Sequence, residues 1–262
     1  MLRSYLYRLI PPILVLLFVV GIHYYITYGV LEPTRRFLLP PPHSIIYEGF
    51  FVPKHRDEIF RALLLTTKVS IIGLGIACLI GFFTAILMSQ AKWLERSLYP
   101  WAVFTQTVPI LALVPIIGFW FGFNITARII VVVIISIFPI IINTLTGLLG
   151  ASRDLHDLLT LHKASRWTRA TKLMIPYALP DLFTGLRTSA GLAIIGSIVG
   201  DFFFGRGSPG LGMLLKVYGS RLRTEELLSA TIVACLLGVF VFWSFSYIGR
   251  KMVGHWSEAW SS

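Results

Sequence analysis

Charge is scarce in this chain of 262 residues: 13% are Asp, Glu, Lys or Arg, where a soluble domain carries about a quarter. What charge there is leans one way, with 12 acidic residues against 23 Lys and Arg and a net +11. Cysteine is almost missing. Cys78 and Cys235 lie far apart in separate apolar runs with no Cys-x-x-Cys pair, which excludes a thiolate metal framework and leaves two residues read as small, buried and apolar. No Gly-x-x-x-x-Gly-Lys-Ser/Thr stretch occurs, so the chain has no phosphate loop for hydrolysing ATP. No Ser/His/Asp set or carboxylate pair stands out, which argues against an enzyme, and no residues group as metal or cofactor ligands.

The space left by charge is filled by apolar residues, 56% of the chain, with a mean hydropathy of +0.78. They fall in long blocks, so the class is an all-α polytopic membrane protein; an outer-membrane barrel would alternate over short segments. The basic residues sit in loops between the blocks, where anionic headgroups and membrane orientation account for them without nucleic acid. Six spans are expected, at about Pro11–Val30, Leu64–Met88, Tyr99–Phe121, Ala127–Leu149, Leu182–Phe204 and Leu227–Ile248. Each is near the roughly 20 residues that cross a bilayer core.

Met1–Arg8 followed by Leu9–Val20 has the look of a secretory signal, but the apolar run continues to Val30 without a small-residue cleavage site, and it is read as an uncleaved first helix. Pro100, Pro109 and Pro115 break the third span and Pro139 lies in the fourth, so these helices should be kinked and packed on neighbours. Gly118/Gly122 and Gly196/Gly200 are spaced for close helix contact. Between the first two spans, Leu39-Pro40-Pro41-Pro42 forces an extended entry, and Ile45, Ile46, Phe50 and Phe51 suit a short interfacial helix. The chain divides into residues 1–61 (first helix and extended external segment), 62–250 (a core with a polar loop at 150–180) and 251–262 (a tail).

Lys and Arg are almost evenly split between the two sides, and Arg3 and Arg8 balance Arg35 and Arg36 across the first helix; the positive-inside rule gives only a slight lean to a cytoplasmic N-terminus. Gly205-Arg206-Gly207-Ser208-Pro209-Gly210 matches Gly-x-Gly-x-x-Gly literally, but it follows a membrane span and opens no βαβ unit, so it is read as a turn. Lys68, Arg187 and Asp201 are ionisable residues in or beside spans. Lys68 and Arg187 are near enough to span ends to snorkel; Asp201 is open to a structural pairing or gating role, or to substrate contact. His23 is read as a packing or interface residue. Trp120-Phe121 and Phe202-Phe203-Phe204 would serve to stack a heteroaromatic ring or to form an interface belt.

The most distinctive stretch is Asp157–Pro176, amphipathic, basic and too polar to span. Ser152 suits an N-cap with Asp154 in the first turn, and Leu155, Leu158, Leu159 and His162 share one helical face. A second short helix should open at Ser165, with Trp167, Ala170 and Met174 on one side and Arg166, Arg169 and Lys172 elsewhere. Pro176 and Pro180 return the chain to the membrane. The exposed ridge of this helix–turn–helix either docks a partner or packs on the chain's own helix ends or on lipid headgroups.

This arrangement resembles the signature loop of permease subunits of ATP-binding-cassette importers: Glu-Ala-Ala, three residues, Gly, nine residues, Ile-x-Leu-Pro. Asp157 falls on the Glu, Leu158 and Leu159 on the alanines, Lys163 on the Gly, and Leu173, Ile175 and Pro176 on the end. Ala164-Ser165-Arg166-Trp167, Ala178-Leu179-Pro180, Gly185-Leu186-Arg187, Trp120-Phe121-Gly122 and Gly210-Leu211-Gly212 are similar to family continuations, so the resemblance covers nearly the whole chain. Lys163 is the main departure, because the glycine there makes a turn with positive φ; a lysine should cost roughly 1 kcal/mol or change the turn. The resemblance implies a cytoplasmic coupling loop of Leu155, Asp157, Leu158, Leu159, Lys163, Ala164, Ser165, Arg166, Trp167 and Pro176. It also implies cytoplasmic termini, and no bound cofactor, ATP being held by a partner ATPase. The implied partners are ATPase subunits, a second permease copy in a homodimer, and an external substrate-binding protein. The third and fifth spans would line the pathway, with Pro109, Pro115, Gly196, Gly200 and Asp201 as pathway or gating candidates. The chain looks most like the branch that handles nitrate, sulfonates and vitamins or their precursors, with a lean to a vitamin-like heterocycle. The rival readings are a self-contained secondary transporter or channel, and a membrane enzyme.

Overall fold

The computed structural model describes residues 2–204, 207–255, 257 and 260, with side chains from Ile10 onward. Gly205 and Arg206 of the glycine-rich turn, and most of the tail beyond His255, lie outside the described residues. The chain is all-helical, with no strand among the described residues. Among the described residues, five helices are long and apolar enough to cross a membrane, and one bent pair passes the same test when its two helices are taken together.

Helix α1 (Leu2–Tyr25) runs into a wide π turn at Ile26–Val30. It stands at the periphery, with Phe18 and Leu17 largely exposed, as expected of a helix facing lipid. A 3-10 turn (Pro33–Leu38), a short helix α2 (Pro42–Ile46) and a second π turn (Tyr47–Phe51) come next. This connector is more than an interfacial helix. Ile45 is buried and its carbonyl accepts from the Ser229 hydroxyl, while His23 Nε2 meets the Pro40 carbonyl at 2.8 Å and Thr27 Oγ1 donates to Leu39 O. His23 thus has the packing role read from the sequence.

Helix α3 (Pro53–Ser89) has 37 residues and starts well before the expected Leu64. Its first turns are too polar to be found by hydropathy, yet Pro53 at the N-terminus suits a helix start. The third span is not one kinked helix. Helices α4 (Lys92–Thr107) and α5 (Ile110–Phe121) meet at 98°. The break is at Val108, whose ψ of 127° is extended, because Pro109 crowds an α conformation out of the residue before it. Gly122, at φ +82°, then turns the chain into α6 (Ile125–Leu149), capped by Asn124 accepting from Thr126 N.

Helix α9 (Ile175–Phe203) returns through the bundle, with Pro176 in its first turn. Helices α6 and α9 form the most extensive pairing in the molecule. Gly185 faces Pro139 O, Gly196 faces Val132 Cα and Gly200 faces Arg128 Cα, so Gly196 and Gly200 sit on this seam, where the missing Cβ lets two backbones approach. Helices α10 (Leu211–Ser220) and α11 (Thr224–Val253) complete the bundle. The main core joins Val69, Leu74 and Ala77 of α3 to Val132 and Ile140 of α6 and to Phe183, Leu186 and Ala190 of α9. The cysteine reading needs correction: Cys78 is half-buried and Cys235 is exposed on α11.

Candidate functional site: the polar elbow and the opposite end of the bundle

Between α6 and α9 stand two short helices, α7 (Arg153–Leu161) and α8 (Arg166–Arg169). Ser152 occupies the N-cap position of α7 but its side chain makes no cap bond, whereas Ser165 Oγ accepts from Thr168 N at 3.1 Å. Lys163 takes φ +52°. Its N–H donates to Thr160 O and the Ala164 N–H donates to Leu159 O, both at 2.9 Å. This is the paired closure that a C-terminal glycine normally makes. The turn is therefore kept and the lysine carries the strain. Arg169 Nη2 donates to Thr160 Oγ1 at 2.9 Å and ties the two helices together.

On the outer surface of the elbow, Leu155, Leu158 and Trp167 are exposed, and so is Leu161, which is 80% exposed and was not among the sequence candidates. Its signal was available: it stands three residues beyond Leu158. Leu159 is only half-buried, Asp157, Ser165, Arg166 and Pro176 are exposed, and Ala164 is half-buried. Ala170 and Met174 do not share the face of Trp167. A π turn at Ala170–Met174 widens the helix, and the extra residue in the turn rotates the positions beyond it. Ala170 is buried, and Met174 and Ile175 pack on Met88 of α3, Ala102 of α4, Leu145 and Leu148 of α6 and Ala178 of α9. The elbow thus presents an apolar and basic surface outward and plants its return strut at a junction of four helices.

At the other end of the bundle, Asp201 and Arg128 form an ion pair at 2.7 Å, both side chains almost fully buried. Asp201 also accepts from Gly210 N at 3.2 Å and Met213 N at 2.6 Å, while Thr66 Oγ1 accepts from Leu211 N. Together they satisfy the first amides of α10, which would otherwise be orphaned. Arg128 donates to Phe204 O and Ser208 O. Asp201 therefore has the pairing role. Arg128 was missed by the sequence reading, although an arginine one turn inside an apolar run is a signal by the rule that singled out Asp201. Phe204 is fully buried against Phe123, leaving only Phe202 and Phe203 partly exposed, so the triplet is not one stacking surface. Arg187 does not snorkel freely: its guanidinium lies over Phe242 and over Trp260, 5.1 and 5.3 Å from the ring centres.

On this same end a closed network joins the connector to α11. Arg223 donates to His55 Nε2 at 2.7 Å and to Glu226 Oε1 at 2.6 Å. A guanidinium only donates, so His55 Nε2 accepts, and its Nδ1 lies 3.3 Å from Glu48 Oε2. Glu48, His55 and Glu226 are spaced as cation ligands would be, and Arg223 supplies that positive charge. Tyr218 beneath Arg223 donates to Glu58 Oε2 at 2.9 Å; burial, then that carboxylate, pushes the phenol well above its ordinary range. Beside the network opens a cavity of about 840 Å³ whose charged lining is Lys54, Glu58, Arg61, Lys68, Arg221 and Arg223.

Comparison with known proteins places these features in context. Residues 77–254 match the model of the binding-protein-dependent transport system inner membrane component. The chain is 31% identical over 206 residues to the formylaminopyrimidine transport permease protein of Halalkalibacterium halodurans, covering 79% of this chain and 81% of that protein. It is 28% identical over 217 residues to the riboflavin transport system permease protein of Chloroflexus aurantiacus, covering 83% and 80%. Other relatives are named for aliphatic sulfonates, bicarbonate and nitrate. A chain of the inward-facing MetNI methionine ABC transporter superposes with a TM-score of 0.67 at 16% identity, covering 76% of this chain and 98% of that one, a likeness of fold.

Proposed function

The chain belongs to the binding-protein-dependent transport system inner membrane component family, and from that premise we propose that it works as one of two identical permease subunits of an ATP-driven importer. It is a multi-pass inner-membrane permease of the ABC importer class. In the proposed assembly the elbow and both termini face the cytoplasm. Leu155, Leu158, Leu161 and Trp167 seat in grooves of partner ATPases, and an external binding protein delivers a small organic nutrient to the opposite end. The single observation that carries this is the exposed apolar ridge of the elbow on a chain with no phosphate loop of its own. A structured apolar ridge beside basic residues is what a coupling contact needs. ATP-driven closure of the ATPases would draw the elbows together and act through Met174 on the four-helix junction.

Introducing Leu158→Glu with Trp167→Glu tests this. Co-purification with the ATPase and ATP-driven uptake are expected to fall more than tenfold while the protein still reaches the membrane and elutes as a single species. Persistence of both overturns the coupling assignment. Uptake by the purified chain alone, driven by an ion gradient, would instead establish a self-contained transporter.

For the substrate, a vitamin-like heterocycle such as riboflavin or a thiamine precursor is favoured by the relatives named for formylaminopyrimidine and riboflavin transport. Competition against labelled substrate in cells carrying the whole importer separates the readings. Competition by nitrate, taurine or an alkanesulfonate, with none by heterocycles, would end the heterocycle reading.

A further inference from the structure

Lys54, Arg61 and Lys68 stand seven residues apart on α3. Seven residues are close to two helical turns, so the three share a face at intervals of about 10.5 Å. All three are exposed and line the 840 Å³ cavity together with Arg221, on the wall made by α10 and the segment after α9. Two other charges in the lining are already engaged: Arg223 with Glu226, and Glu58 with the Tyr218 hydroxyl. Among the described residues, Lys54, Arg61, Lys68 and Arg221 belong to no ion pair. Four unneutralised cations thus surround one cavity, and the deepest, Lys68, lies about one turn inside the apolar stretch of α3. A cation at that depth is costly unless it faces water or an anion. A walled cleft of one charge sign focuses its field and concentrates counter-ions.

From this we infer that the cavity is an anion-binding antechamber, which takes the transported solute by a carboxylate, sulfonate or phosphate group. The inference rests on the importer reading but sets a different solute against the neutral heterocycle favoured above: an acidic heterocycle, or an anion without a ring, fits the antechamber, and neutral riboflavin does not. The α3 face guides the anion from Lys54 at the rim, past Arg61, to Lys68. Arg221 closes the other side.

The test needs no knowledge of the natural substrate. Leu64 lines the cavity, is 55% exposed, and sits between Arg61 and Lys68. Leu64→Cys is placed in a Cys78→Ala, Cys235→Ala background of the complete importer in phosphatidylcholine vesicles. It is then reacted from the Lys54 side with anionic sulfonatoethyl or cationic trimethylammonioethyl methanethiosulfonate. Relative to a free thiol, the anionic reagent should be favoured by about tenfold or more, within the range that focused charge produces. Arg61→Gln with Lys68→Gln should bring the ratio near that of the free thiol, and Arg61→Lys with Lys68→Arg should restore it. Benzenesulfonate or benzoate should protect the thiol and choline should not.

An unbiased ratio, a ratio that the Gln pair leaves unchanged, or a thiol inert to both reagents overturns the inference. Val217→Cys, on the same lining, repeats the measurement if the first variant does not fold. Loss of the bias in phosphatidylglycerol vesicles alone would assign the cations to lipid headgroups, and protection by the binding protein but not by small anions would assign them to its surface; either overturns the proposal. ATP-driven uptake of neutral riboflavin that the Gln pair leaves intact overturns the antechamber while the importer stands. Failure to bind an ATPase brings down the importer reading and leaves the charge ratio to be read independently.

Discussion

Two residues hold turns that glycine usually makes. Lys163 at φ +52° and Leu222 at φ +54° both close helices with paired backbone bonds, from Ala164 N to Leu159 O and from Arg223 N to Tyr218 O. Left-handed backbone costs an L-residue roughly 1–2 kcal/mol, partly offset by the greater freedom glycine has when unfolded. Lys163→Gly should therefore stabilise the elbow by about 0.5–1 kcal/mol, read as a higher Tm of the purified chain; an unchanged or lower Tm would show that the lysine is unstrained. The Asp201–Arg128 pair behaves in the opposite way. Removing either partner leaves a buried charge, and Asp201→Ala or Arg128→Ala should lose about 3–5 kcal/mol. The double variant Arg128→Ala/Asp201→Ala should lose less than the sum of the two single changes, because no buried charge is then left unpaired. A thermal-unfolding cycle on the four proteins checks this, and strict additivity would show that the pair is uncoupled.

At the scale of elements, the seam between α6 and α9 is set by what glycine omits. A Cβ on Gly185 would stand 2.8 Å from Pro139 O and 3.1 Å from Asn143 Cβ, and neither position can withdraw without moving α6. Gly185→Leu should cost at least about 1–3 kcal/mol and lower the yield of folded protein, as seen in size-exclusion profiles; a tolerated leucine would mean that the helices slide freely. The same scale shows where the sequence was legible. Apolar runs gave α6, α9 and α11 to within a few residues or one to two turns, because an apolar run of about 20 residues marks a helix long enough to span. The start of α3 was hidden, since six of its first eleven residues, Lys54–Glu58 and Arg61, are charged or histidine and hydropathy is blind to a helix outside the bilayer. The prolines marked the third span as broken, but the 98° angle between α4 and α5 depends on packing. In the elbow, the leucine periodicity and the Ser165 cap were readable. The π turn at Ala170–Met174 was not, and it alone decides that Met174 faces the core while Trp167 faces away. Arg128 was readable as a charge in a span, but its carbonyl partners, 76 and 80 residues away, were not.

In the molecule as a whole, the proposed docking ridge and the proposed antechamber lie at opposite ends of one bundle. The mechanical link between them begins at Met174, which packs where α3, α4, α6 and α9 converge. Met174→Ala, on the proposed coupling role, should preserve ATPase association yet lower uptake several-fold per ATP hydrolysed, measured in vesicles; an unchanged ratio would move the link elsewhere. Helix α3 connects the two ends with 37 residues, a rod of about 55 Å in a hydrocarbon layer of about 30 Å. Even at a steep tilt of about 40° more than 10 Å must stand clear. Its apolar stretch runs to Met88 beside the elbow, so the surplus height belongs to the turns that carry Lys54 and Arg61. On the antechamber proposal this surplus acts as a parapet: it lifts Lys54 and Arg61 clear of the hydrocarbon layer, so that a solute can be handed along them before it reaches Lys68 at the edge of the apolar stretch.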